Sequence, residues 1–158
     1  MIEIRAPEKF GHITDKPRVF LAGSIEMGAA ENWQERVCAA LRHIDIAILN
    51  PRRAVWDAAW EQSIDNPEFR EQVEWELAAL DAADVILMYF VPETKSPITL
   101  LELGLHAAKS PEKLFVCCPE GFWRKGNVDI VCARHNVMQA QTLDELIEAT
   151  ALTFHKAA

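Results

Sequence analysis

The amino-acid sequence predicts an α/β fold, a parallel sheet with helices on both faces. Short apolar runs alternate with helical patterns along the chain, and that alternation implies parallel strands joined by crossover helices. The apolar runs show no in-out alternation, as expected for strands buried on both sides. The helical segments open on capping signals, which punctuate the order.

Taken in order, the apolar runs lie at residues 18–22 (RVFLA), 44–49 (IDIAIL), 85–91 (VILMYFV), 114–118 (LFVCC) and, more weakly, 130–137. Between them, residues 29–43 place Trp33, Val37, Ala40 and Leu41 at helical spacing. Asn66-Pro67 is an N-cap followed by proline at the first helical position. It opens a helix with Phe69, Val73, Leu77 and Leu80 as one stripe. Ser96-Pro97 repeats the signal ahead of ITLLELGLHAA. Thr142-Leu143-Asp144-Glu145 is a capping box for a last helix. Residues 51–66 form a long connection with two tryptophans. No repeat, low-complexity segment or linker divides residues 1–158, which read as one domain.

Composition narrows the function classes. The 158 residues include 16 Lys and Arg against 24 Asp and Glu, a net charge of −8. Such a chain is a poor holder of DNA or RNA, whose phosphates require clustered cations. The first residues carry charges throughout and lack the apolar core of a signal peptide. The longest strictly apolar run, 85–91, falls far short of the roughly 20 residues of a membrane span. Cys38, Cys117, Cys118 and Cys132 form no C-x-x-C pair, and the five histidines show no metal-ligand spacing. These features predict a cytoplasmic protein with reduced thiols and no metal.

In this architecture ligands bind beyond the carboxyl ends of the strands, which directs attention to residues 23–29, 51–66, 92–97 and 119–127. Gly23-Ser24-Ile25-Glu26-Met27-Gly28 is either a tight turn or a loop that presents N–H groups to a ligand. Glu102 sits in an apolar helix with no Lys or Arg before Lys109. It either faces solvent or is a buried carboxylate that needs a partner or a task. With Phe69 at zero on the preceding helix, Glu76 falls near −20°, inside the apolar stripe, at about 100° per residue. A carboxylate there pairs with an arginine or lines a site. Two such carboxyls near one pocket are the raw material of glycosyl chemistry. Trp56, Trp60, Phe122 and Trp123 offer aromatic faces in the same loops, Asp57, Asp65 and Glu93 add polar groups, and Arg52, Arg53, Arg124 and Lys125 add positive charge.

Several of these segments together resemble the nucleoside 2-deoxyribosyltransferase superfamily. They are Val19-Phe20-Leu21-Ala22-Gly23-Ser24-Ile25, Trp75-Glu76-Leu77, Asp84-Val85-Ile86 and Leu101-Glu102-Leu103-Gly104. The resemblance spans roughly residues 18–146. Pro51-Arg52-Arg53 with Trp56-Asp57, and Gly121-Phe122-Trp123-Arg124, look like its nucleoside 2-deoxyribosyltransferase-like subgroup. The resemblance implies a flavodoxin-like three-layer sandwich with five parallel strands. It implies transfer of 2-deoxyribose between nucleobases with retention, with deoxynucleosides and nucleobases as partners and no cofactor. It makes Glu102 the nucleophile and Glu76 its supporting acid. It places Phe20, Gly23, Ser24, Ile25, Trp56, Asp57 and Ser96 around the substrate. It also implies a homo-oligomer in which Asn136 reaches a neighbouring subunit's pocket.

One departure matters. Many members carry an aspartate six residues before the nucleophile, where this chain has Ser96. The leaving base must then take its proton from Glu93, Asp57, Glu76 or water. The nearest rival reading is a hydrolase of deoxynucleoside 5′-monophosphates, whose Ser-Ile-x-x-Gly loop resembles residues 24–28 but carries cations where Glu26 is acidic. A nucleotide-binding module without chemistry is the third.

Overall fold

The computed structural model describes residues 1–26, 30–53 and 59–155. Six parallel strands form one sheet: β1 (Ile2–Arg5), β2 (Arg18–Gly23), β3 (Ala47–Asn50), β4 (Val85–Tyr89), β5 (Leu114–Cys117) and β6 (Met138–Ala140), in the order β1-β3-β2-β4-β5-β6. Among the described residues, five α-helices follow the strands from β2 on: α1 (Trp33–Leu41), α2 (Pro67–Ala82), α3 (Pro97–Lys109), α4 (Lys125–His135) and α5 (Leu143–His155).

The apolar runs lack alternation because both sheet faces are covered. Phe20, Ala22, Ile86 and Met88 pack under α2, α3 and α4 with Trp75, Leu80, Leu103 and Val128. Val19, Leu21, Val85 and Leu87 pack under α1 and α5 with Trp33, Val37, Leu41 and Leu146. The α/β three-layer class is therefore as the sequence predicts, with one strand more than the five expected. β1 escapes the apolar pattern because it is an edge strand with only Ile4 buried. Glu3 is held there by Arg5 and by the Asn50 amide.

The expected strand at 130–137 is instead the end of a helix. α4 buries only Val128 and Cys132, one turn apart, and leaves Ile130 on the surface. Its apolar pattern is thus too sparse to read as helical. Asn136 ends α4 in the left-handed region (φ 55°), its N–H returning to Ala133 O, and β6 starts two residues later. The stripe on α2 is also rotated from the expected one. Gln72, Trp75, Ala79 and Leu80 face inward and Leu77 is exposed. Trp75 sets this face by donating to Glu8 O at 2.7 Å.

Two caps behave as expected: Asn66 Oδ1 accepts from Phe69 N at 2.9 Å, and Thr142 Oγ1 from Glu145 N at 3.2 Å. Ser96 heads α3 but makes no side-chain cap bond. Between β2 and β4 the strand order changes direction, and at such a switch point two loops diverge and leave a crevice. Among the described residues, no helix is long and apolar enough to cross a membrane.

Candidate active site

The crevice is built on Gly23, the last residue of β2. A Cβ there would lie 2.3 Å from Tyr89 O and 2.7 Å from the Trp33 ring, and φ is +153°, so only glycine fits. Ser24 follows, fully buried, with its carbonyl accepting from Trp33 Nε1 at 2.9 Å. Its hydroxyl meets Thr94 Oγ1 at 2.7 Å and Ser96 Oγ at 2.6 Å, while Thr94 and Ser96 are 2.8 Å apart. Thr94 also donates to Val91 O at 2.8 Å. Three hydroxyls carry three protons. One goes to Val91, so the other two can fill at most two of the three contacts within the triangle.

That triangle explains the missing cap. With the Ser96 hydroxyl turned inward and its backbone left-handed (φ 46°), the start of α3 is served from outside. Glu26 Oε1 accepts from Lys95 N at 3.0 Å and Ser96 N at 2.8 Å. A carboxylate is favourable at a helix N-terminus.

Glu102 lies on α3 and is 8% exposed. It makes no hydrogen bond or ion pair with any described residue, and burial, with the neighbouring charge of Glu76, pushes its carboxyl up to about 8. Glu76 projects from α2 and is partly buried. Burial holds its carboxyl above the usual range, against the Gln72 hydrogen bond and the charge of Arg53, which pull it down. The charge of Glu76 on α2 thus acts on Glu102 on α3. Of the readings open from the sequence, Glu102 is buried, and Glu76 is both near an arginine and beside a second acid.

The cations beside the crevice are engaged. Arg52 donates to Glu31 O and Ala30 O, both at 3.2 Å. Arg53 bonds Gln72 and Glu71 and lies 5.0 Å over the Trp60 ring. Lys95 and Arg124 sit over Trp123, at 4.8 and 4.2 Å, and Lys125 pairs with Asp129. Gln72 is the residue that sequence reasoning missed. It occupies the same helical sector as Glu76, one turn earlier, and its Nε2 donates to Glu76 Oε1 at 2.7 Å. The same helical wheel places it near −60°, so a search for buried polar partners of Glu76 would have found it.

The remaining expected site residues divide. Gly23, Ser24 and Ser96 form the crevice floor, and Ile25 follows them, partly buried. Phe20 is 1% exposed and packs against Trp75, so it supports α2 from below and offers no surface. Phe122 is likewise core, against Phe90. Asn136 caps α4 at the entry to β6, the end of the sheet opposite the crevice. Trp56, Asp57, Met27 and Gly28 lie outside the described residues. A depression of about 620 Å³ opens beside the crevice, lined by Glu26, Tyr89, Val91, Glu93 and Lys95 among others, and an apolar groove of about 290 Å³ runs between α3 and α4. Glu76 and Glu102 line neither. Among the described residues, no group of His, Cys, Asp and Glu is placed to hold a metal ion.

Against known proteins, a family model described as nucleoside 2-deoxyribosyltransferase-like matches residues 16–122, which include Gly23, Glu76, Ser96 and Glu102 but not Asn136. A crystal structure of a conserved protein from Enterococcus faecalis V583 superposes with a TM-score of 0.58 at 13% identity, covering 84% of this chain and 96% of that one. At that identity the likeness is one of fold. No curated protein matches the sequence.

Proposed function

This chain belongs to the nucleoside 2-deoxyribosyltransferase-like family, and from that premise we propose that it transfers 2-deoxyribose between nucleobases through an ester on Glu102. The observation that carries the reading is Glu102 itself, buried, without a hydrogen-bond partner among the described residues, and beside a second acid. A buried carboxyl with no partner is costly, and covalent glycosyl chemistry gives it a task.

The proton balance closes within the carboxyl pair. Both carboxyls lie above the ordinary range, and the reaction needs Glu102 ionised and Glu76 protonated. Glu102 attacks C1′ as the carboxylate, the C1′–N bond breaks through an oxocarbenium-like transition state, and Glu76 hands the proton to the departing base. An incoming base then attacks C1′ on the face the first one left. It returns its proton to the pair and releases Glu102, and two inversions give retention. Ser96 is not needed as an acid, which agrees with a hydroxyl turned inward against Ser24 and Thr94.

The reading includes a cytoplasmic homo-oligomer. Ile98, Leu101 and Leu105 are at least half exposed along the outer side of α3, an apolar strip of the kind that marks interfaces. A neighbour on it would be the source of any Asn136 contribution. The four cysteines are buried free thiols, in keeping with a reducing compartment.

The test is incubation with deoxyinosine and cytosine, and separately with a deoxynucleoside 5′-monophosphate, followed by chromatography. New deoxycytidine, lost in Glu102→Ala with the fold retained, supports transfer. Deoxyribose phosphate and free base would instead support the hydrolase. The Glu26 carboxylate already serves the start of α3, which favours a substrate without a phosphate there. Wild-type exchange in Glu102→Ala would refute the nucleophile.

A further inference from the structure

The depression of about 620 Å³ lies on the other side of the sheet from the two carboxyls. Tyr89 and Val91 in its wall belong to the core layer under α1 and α5. Glu76 and Glu102 stand on α2 and α3, which cover the opposite face. Tyr89 is 9% exposed, with its ring edge-on to Trp33 at 5.6 Å. Its hydroxyl makes no hydrogen bond with any described residue. Yet it is not sealed in, because among the described residues Gln34 Nε2 alone is a buried side-chain polar atom without a partner. The hydroxyl therefore opens on the depression that Tyr89 lines. Burial first, with the charges of Glu31 and Glu93 adding to it, holds the phenol above its ordinary value.

Three acids, Glu26, Glu31 and Glu93, line the same depression, against Lys95 as the one cation among its described lining. Lys95 is turned to Trp123, 4.8 Å from the ring centroid. Arg36, whose charge also reaches Tyr89, pairs with Asp144. The carboxylates of Glu31 and Glu93 make no hydrogen bond or ion pair with any described residue. Glu26 uses Oε1 alone at the start of α3. Unpaired acids around one concavity raise the local negative potential and draw in a cation. They do not close on a metal ion, since among the described residues no group of His, Cys, Asp and Glu could hold one. A cation that reaches several of them at once is therefore an extended organic one, and small-molecule sites span about 300–1,000 Å³. We propose that this depression binds a small organic cation with two amino groups, which donate to Glu31, Glu93 and the free oxygen of Glu26, with the Tyr89 hydroxyl as a further acceptor.

The site is independent of the transfer reading, and its test needs no turnover. The probe is 1,4-diaminobutane, titrated into 15N-labelled protein and followed by backbone NMR and calorimetry. Butane-1,4-diol is the uncharged match and Mg2+ the inorganic cation. Saturable shifts centred on Glu31 and on residues 89–93 are expected with the diamine, and none with the diol. Glu31→Gln and Glu93→Gln should each weaken the diamine about threefold, the scale of an exposed ion pair, and about tenfold together. Tyr89→Phe keeps the ring and should weaken it about fivefold by removing a hydrogen bond to a charged group. Glu112→Gln removes an equal charge at the opposite end of the sheet, just ahead of β5, and should leave the affinity unchanged. An equal loss in Glu112→Gln would mean that the diamine only screens the net charge of −8, and it would overturn the site. A matching response to the diol, Mg2+ binding with the same residue dependence, or no saturable shift at millimolar diamine would overturn it as well.

Discussion

Replacing Glu102 by Gln should make the protein more stable than the wild type at pH 8 while leaving it about as stable near pH 4.5. The reason is linkage. Burial and the Glu76 charge push the Glu102 carboxyl from its ordinary 4.5 to about 8. Between those two values the unfolded chain has released a proton that the folded chain still holds. The unfolded state binds fewer protons there, so stability falls as pH rises. The loss begins as pH passes 4.5 and is complete above about 8. A gap of about 3.5 pH units, at about 1.36 kcal/mol each, amounts to roughly 5 kcal/mol. That is a ceiling, because a buried site relaxes and admits water around an ionised group. Glutamine has the same shape and no titration, so its curve lacks this slope. Urea unfolding of both proteins at pH values stepped from 4.5 to 8 reads the difference directly. In a thermal scan that ceiling corresponds to about 10–20 °C at pH 8, since a domain of this size moves about 2–4 °C per kcal/mol. A constant gap between the two proteins across the range would mean that Glu102 ionises like an exposed acid. The premise of a buried Glu102 with a raised titration would then fail.

Ser96→Ala should cost about 1 kcal/mol in stability by opening the hydroxyl triangle, yet keep base exchange within a few-fold. A loss of exchange by orders of magnitude would show that the Ser96 hydroxyl reaches the base. Leu101→Asp, on a side chain 61% exposed, should leave the subunit folded and lower the mass seen by light scattering, with exchange falling in parallel. A wild type that runs as a monomer at micromolar concentration would remove that part of the reading.

Much of the fold was legible because both of its periodic signals are local. β2, β4 and β5 are short apolar runs, and α2 and α5 start at Asn66-Pro67 and Thr142 as their caps dictate. Where burial is sparse the signal fades, which is why β1 was missed and the second half of α4 read as a strand. The site divides in the same way. Glu76 could be placed on a buried helical sector from angles alone, and Glu102 stood out as an acid in an apolar helix without a nearby cation. What those acids do to each other could not be read, since α2 and α3 are joined only through β4 and their side-chain distance is a tertiary quantity.

The sequence by itself determined the layers, the order of elements and the two carboxyls, because helical and strand periodicity act over a few residues. Only the tertiary structure decided the use of the polar groups. Ser24, Thr94 and Ser96 close a hydroxyl triangle across 72 residues of sequence. Glu26 serves a helix start 70 residues away, and Gln72 joins Pro51 and Arg53 to Glu76. Buried polar groups must find partners wherever the chain brings them, because an unmet donor or acceptor costs more than a met one gains. That pairing is satisfied in space and leaves no periodic trace along the chain.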